Sequence, residues 1–250
     1  MNIYLITGSS KGLGEAFVKT VLKEGNIVYA IARSKSEKLA TIHTQGNGIL
    51  EQLSYDLSDI SGLSAFMNSL FGRIPLEKAD TITLINNAGI VEPMKPIERC
   101  NSAEIERSFQ VNTVAPMALT SEFLQHTEEF KGKKYILNIS SGAANRSVYG
   151  WSVYSATKAA LDRFTESAAL EEREKENPTK IIAIAPGVVD TNMQSQIRAT
   201  NKDDFKDVEN FRSLKENDQL LKPEAVAEKS LKWLMSNASD NGVVYHIRDL

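Results

Sequence analysis

The sequence predicts a doubly wound α/β fold, and three observations predict it. Short apolar runs alternate with helical patterns along the chain, the helical stretches are long enough to cross over between parallel strands, and a glycine-rich turn joins the first run to the first helix. Strands that are apolar on both faces call for a parallel sheet covered on both sides. The 250 residues contain no repeat, linker or low-complexity tract, so a single domain over 1–250 is expected.

Residues 2–7 form the first run, and from Gly12 the positions Leu13, Ala16, Phe17, Thr20 and Val21 recur at helical spacing. Gly25 is expected to close that helix in a left-handed cap, before a second strand at 27–32. Further strands are expected at 49–55, 81–85, 135–139, 180–185 and 243–247, seven in all. Helices are expected at 58–71, 101–126, 152–175 and 223–237. One segment breaks the alternation. Residues 192–222 carry twelve charges, interspersed with Met193, Ile197, Phe205, Val208, Phe211 and Leu214. A structureless loop of that length is disfavoured, which leaves one or two surface helices or a mobile lid over a site at the strand ends.

With 42% hydrophobic and 24% charged residues the composition is that of a globular protein and excludes disordered, collagenous and coiled-coil classes. No apolar run approaches the roughly 20 residues of a membrane span. The opening Met1 to Gly8 is too short, and lacks the basic lead-in, for a signal peptide, so a cytoplasmic protein is expected. A net charge of −3 gives no basic field for nucleic acid, although Lys134 or Arg163 could sit in local patches. The single Cys100 has no disulfide partner, and His43, His126 and His246 lack metal-ligand spacing. Small-molecule chemistry without a metal is what remains.

That chemistry is legible at Thr7-Gly8-Ser9-Ser10-Lys11-Gly12-Leu13-Gly14, the first strand-to-helix junction. Glycines there permit a tight turn and close backbone approach, and the helix N-terminus offers free N–H groups to a pyrophosphate, as in a Rossmann-type dinucleotide site. At the end of the second strand an acid would bind a free ribose 2′-hydroxyl, but the residues are Ala32-Arg33-Ser34. Arg33 and Lys11 supply two cations for a 2′-phosphate, so NADP(H) is the expected cofactor. Tyr154 and Lys158 stand four apart on one helix and share a face, where an ammonium is expected to lower the phenol's pKa.

The glycine spacing, Asn86-Asn87-Ala88-Gly89 after the fourth strand, Asn112, Ser140-Ser141, Tyr154-x-x-x-Lys158 and Pro186-Gly187 together resemble the short-chain dehydrogenase/reductase family. The resemblance implies a carbonyl reductase in which Tyr154 is the general acid, Ser141 binds the substrate oxygen and Ser140 is its structural neighbour. Lys158 tunes Tyr154 and holds the ribose, and Asn112 connects Lys158 to solvent. It also implies cofactor contacts from Gly8, Ser10, Lys11, Gly12, Leu13, Gly14, Arg33, Ser34, Asp56, Asn87, Ala88, Gly89, Pro186, Gly187, Val189 and Thr191. Asp190 and Cys100 read as ordinary surface residues.

Stretches 150–160 and 185–194 resemble family members that reduce one carbonyl of a vicinal dicarbonyl. Val148, Tyr149, Trp151 and Met193 would form an apolar pocket for such a substrate. Other ketone reductases of the family, and a catalytically silent NADPH-binding sensor, are the alternative readings. Pterin-reducing members carry an acid shortly before the chain ends; alignment by Gly242 puts His246 there, with Asp249 three residues on and, by strand alternation, on the other face. The helices near 113–126 and 152–175 correspond to the family's dimer faces, so a C2 homodimer is expected.

Overall fold

The computed structural model describes residues 1–43 and 48–250, apart from the side chain of His43, which lies outside the described residues. Seven strands form one parallel sheet: β1 (Asn2–Thr7), β2 (Asn26–Ala32), β3 (Ile49–Ser54), β4 (Thr81–Asn86), β5 (Lys133–Ile139), β6 (Lys180–Ala185) and β7 (Val244–His246), in the order β3-β2-β1-β4-β5-β6-β7. Because side chains alternate across a strand, β1 feeds two cores at once. Tyr4 and Ile6 face the layer that contains Phe17, Leu231 and Leu234. Ile3 and Leu5 face the layer that contains Leu70, Phe123 and Ala168. The first layer carries α1 (Gly12–Val21) and α9 (Pro223–Leu234); the second carries α3 (Leu63–Phe71), α5 (Ala115–His126) and α6 (Ser152–Glu172).

Strand order reverses between β1 and β4, and a crevice opens outside their C-terminal ends, where ligands of such sheets bind. The crevice is pinned by side chains. Asn86 Nδ2 donates to Asn138 Oδ1 at 2.9 Å, and Asn138 Nδ2 donates to Thr165 Oγ1 at 2.8 Å, which ties β4 and β5 to α6.

Several expected elements differ in extent or kind. A short helix, α2 (Glu37–His43), joins β2 and β3 where none was expected. The helix expected from 58 begins at Leu63, because Asp56 and Asp59 accept from the Ser58 and Gly62 N–H groups and hold the chain in turns. The helix expected over 101–126 is broken into α4 (Ser102–Phe109) and α5 by a π turn at Gln110–Val114, in which the Ala115 N–H reaches the Gln110 carbonyl. Pro116 has no N–H to give the Asn112 carbonyl, a defect that a wider turn accommodates. Gly25 does adopt a positive φ of 79°, but α1 has ended by Val21, so the glycine shapes the following turn rather than capping the helix. Helices α6 and α9 stop a few residues before 175 and 237, and β7 is shorter than expected.

The charged segment at 192–222 contains two helices, α7 (Asn192–Ala199) and α8 (Val208–Glu216). Their apolar residues are not on the surface: Ile197, Phe205, Val208 and Phe211 are buried with Trp151, Tyr154 and Val148 in a third cluster above the C-terminal strand ends. Trp151 stacks on Phe205 at 4.7 Å and meets the Tyr154 ring edge-on at 5.3 Å. Of the two cations weighed for local patches, Lys134 is buried and Arg163 is paired with Glu166. Among the described residues no helix is long and apolar enough to cross a membrane, and none form a cluster able to hold a metal ion.

Candidate active site

The strand-to-helix turn after β1 is built around two left-handed glycines, Gly8 at φ 64° and Gly12 at φ 58°. Gly14 serves differently: a methyl there would collide with the Gly8 carbonyl and the Asn87 amide, so only a hydrogen lets α1 seat against the turn. Asn87 Nδ2 donates to the Thr7 carbonyl at 2.9 Å, and Thr7 Oγ1 accepts from the Asn87 and Ala88 N–H groups at 3.0 and 3.1 Å. These bonds splice the turn to the chain leaving β4. The start of α1 at Lys11 has no side-chain cap, so its N–H groups face the crevice available to an anion, as a bound pyrophosphate needs. Arg33, Ser34 and Lys11 edge the same crevice, and neither cation is in an ion pair among the described residues. The Ser58 N–H holds the Asp56 carboxyl below its usual range, with smaller help from the Arg33 and Arg107 charges.

At the other end of the crevice, α6 presents Tyr154 and Lys158 one turn apart beneath the end of β5. Both are buried. Lys158 Nζ donates to the Ile139 carbonyl at 2.8 Å, and burial brings its pKa down to about 8, against an upward pull from Asp162. Burial raises the Tyr154 pKa, with the Ser141 hydroxyl beside it pulling the other way. This reverses the expected lowering: the phenol's desolvation outweighs its neighbours, and Lys158 is engaged by a backbone carbonyl. Ser141 Oγ accepts from the Ala143 N–H at 3.2 Å, which fixes its hydroxyl at the head of a short 3₁₀ turn.

A cavity of about 720 Å³ joins the two ends. Gly8, Ser10, Lys11, Gly12, Leu13, Gly14, Arg33, Ser34, Asp56, Asn87, Ala88, Gly89, Ser140, Ser141, Tyr154, Lys158, Pro186, Gly187, Val189 and Thr191 all line it. Asn112 stands behind the wall: its Oδ1 accepts from the Ile90 N–H at 2.8 Å, and its Nδ2 donates to the Ile90 carbonyl and Thr157 Oγ1. Trp151, Met193 and His246 line the cavity as expected, whereas Val148 and Tyr149 do not. Val148 is packed in the third cluster, and Tyr149 is half exposed under the Lys206 ammonium. Asp249 is absent from the lining because the chain leaves β7 for a 3₁₀ turn at Ile247–Asp249, so strand alternation no longer governs it. Asp190 is an exposed ion-pair partner of Lys215.

The sequence reading missed Arg107, Arg146 and Arg248, which line the cavity from a helix and two turns with no motif to mark them; Phe211 and Leu214 of α8, singled out in the 192–222 segment, line it as a lid would. It also missed Asp162, although an acid four residues after Lys158 on one helical face was a readable signal.

A glycine cradle for a dinucleotide that leads to a serine, a tyrosine and a lysine at the strand ends defines a nucleotide-dependent oxidoreductase of the doubly wound class. Residues 2–202 match the family model of short chain dehydrogenases, and the chain belongs to the short-chain dehydrogenase/reductase family. It is 43% identical over 247 residues to a benzil reductase ((S)-benzoin forming) of Bacillus cereus, covering 99% of each chain. It is 30% identical to sepiapterin reductase of Rattus norvegicus, covering 80% of this chain and 79% of that one. In three dimensions it is similar to a short-chain dehydrogenase/reductase of Saccharomyces cerevisiae, with a TM-score of 0.85 and 28% identity over 100% of this chain and 97% of the other.

Proposed function

We propose that the protein is an NADPH-dependent carbonyl reductase that reduces one carbonyl of a 1,2-diketone, of the benzil-to-benzoin type. The observation that carries the reading is that Ser141, Tyr154 and Lys158 share one cavity with two cations at the far end, Arg33 and Lys11, that are in no ion pair among the described residues. The full-length likeness to a benzil reductase supports the diketone. When bound, the nicotinamide supplies the hydride. The chain's own residues handle the oxygen and its proton. Tyr154, held protonated at neutral pH by burial, donates its proton to the carbonyl oxygen; Ser141 donates a hydrogen bond to that oxygen; Lys158 lies below the phenol and offsets charge left on it. Asn112 holds the Ile90 backbone and α6 in register beside Lys158.

Pro186, Gly187, Val189 and Thr191 set the face of the nicotinamide, while Asn87, Ala88, Gly89 and Asp56 border the adenosine side. Trp151, Met193 of α7, and Phe211 and Leu214 of α8 form an apolar wall and lid over the substrate. A cytoplasmic homodimer fits the reading: the lone Cys100 forms no internal disulfide, and the π turn, α5 and α6 leave Val114, Met117 and Leu170 exposed.

The test is NADPH consumption, followed at the nicotinamide absorbance band, with benzil and with NADH as the competing cofactor. Benzil-dependent oxidation with a higher kcat/KM for NADPH than for NADH is expected. No turnover with any diketone of a panel would overturn the substrate assignment, and a preference for NADH would overturn the cofactor assignment.

A further inference from the structure

One buried group beside the site has no task in the reaction as described. Asp162 lies one helical turn beyond Lys158 on α6, is 7% exposed, and has neither carboxylate oxygen in a hydrogen bond. The Ser140 hydroxyl, next to Ser141 in the chain and 3% exposed, is likewise without a partner by hydrogen-bond geometry. Burial pushes the Asp162 carboxyl up, so its ionised form at this depth depends on a balancing charge.

The charges acting on Asp162 come from three places. Lys158 and Glu166 flank it on α6, and His246 acts from the end of β7; the Ser140 hydroxyl acts from the end of β5. Glu166 repels it, and His246 sits on the exposed edge of the cavity. The cation that shares its burial is Lys158. The reverse also holds: among the described residues, Asp162 is the one charge that favours the protonated form of Lys158. The Ile139 carbonyl fixes where Nζ sits but carries no net charge to balance it.

We propose that Asp162 is a positioning residue that acts through Lys158, holding its ammonium charged beneath Tyr154 over the working pH range. Burial already brings Lys158 to about 8 with Asp162 in place, so loss of the carboxylate moves its titration into the neutral range. The carboxylate touches neither substrate nor cofactor; it decides whether the lysine that does so is a cation.

The proposal rests on the reductase reading only through the kinetic assay, and a second measurement is independent of it. In the first, the pH profile of kcat/KM for NADPH-dependent benzil reduction is compared for the native protein and Asp162→Asn. A displacement of the alkaline limb by about one unit is expected, which leaves the variant within about twofold of native at pH 6 and about fivefold lower at pH 8. An unmoved limb, or one loss common to every pH, would mean that Asp162 merely packs. In the second, thermal melting of the protein without cofactor closes a double-mutant cycle of Asp162→Asn and Lys158→Met. Asp162→Asn is expected to lower the melting temperature far more when Lys158 is present than in the Lys158→Met background. Additive losses overturn the pairing. If Asp162→Asn alone does not fold, the double variant must fold, and its failure to do so overturns the proposal too. A native protein inactive on every carbonyl sinks the reductase reading and leaves this cycle standing.

Discussion

In the proposed mechanism Tyr154 is the proton donor, and burial raises its pKa further above neutral, so the phenol stays protonated. Tyr154→Phe removes the donor and almost no volume, so turnover should fall by roughly two to four orders of magnitude while NADPH binding, followed by fluorescence titration, stays near native. Turnover close to native would refute the assignment. In the proposed reading Lys11 and Arg33 hold the 2′-phosphate through charge-assisted hydrogen bonds. Each charge-assisted bond to a 2′-phosphate is worth about 1.5–3 kcal/mol, so Arg33→Asp with Lys11→Ala should cut the NADPH-to-NADH ratio of kcat/KM by more than about tenfold. His246 lines the cavity, and the family resemblance implies an acid at its position in pterin-reducing members. A neutral imidazole accepts one hydrogen bond where a carboxylate accepts a pair. Benzil should therefore be the better substrate and sepiapterin the poorer. His246→Asp should raise sepiapterin turnover relative to benzil, and side-by-side kinetics in which the native protein prefers sepiapterin would contradict this.

At the scale of elements, the two helices at 192–222 are held by aromatic packing rather than by their many charges. Phe205 is fully buried between Trp151 and Phe211, and the Gly150 backbone approaches Asp204 so closely that a methyl at Gly150 would strike its carbonyl. Phe205→Ala should cost about 3–5 kcal/mol in chemical denaturation and raise the KM for a bulky diketone, since the wall over Tyr154 loses its backing. A change under about 1 kcal/mol would show that α7 and α8 are only loosely applied. The π turn before α5 is a second case in which a local defect, a proline inside a helix, is turned to use. It places Asn112 with both ends of its amide bonded, one to the Ile90 backbone and the other also to α6.

For the whole molecule, the π turn and the helices α5 and α6 present Val114, Met117 and Leu170 at 38%, 37% and 60% exposure. Pairing these faces about a two-fold axis would cover them. The native protein should sediment as a dimer, and Met117→Glu with Leu170→Glu should shift it to monomer. A native monomer at micromolar concentration would rule the pairing out.

Read alone, the sequence determined the alternation of strands and helices, the parallel sheet, the glycine cradle and the residues around it, because each rests on period, spacing and short-range backbone chemistry. Gly8 and Gly12 could be placed without a structure from the strand-to-helix junction they occupy, and Tyr154 and Lys158 from their spacing of four on one helix. It did not determine where helices end, since Asp59 and Pro116 act through hydrogen bonds that hydrophobic period does not encode. Only the tertiary structure decided that Val148 and Tyr149 face away from the cavity and that residues of α8 face into it. It alone also decided that the phenol's pKa rises rather than falls. These are matters of burial: desolvation depends on what packs around a group from distant parts of the chain, and no spacing along the sequence measures that.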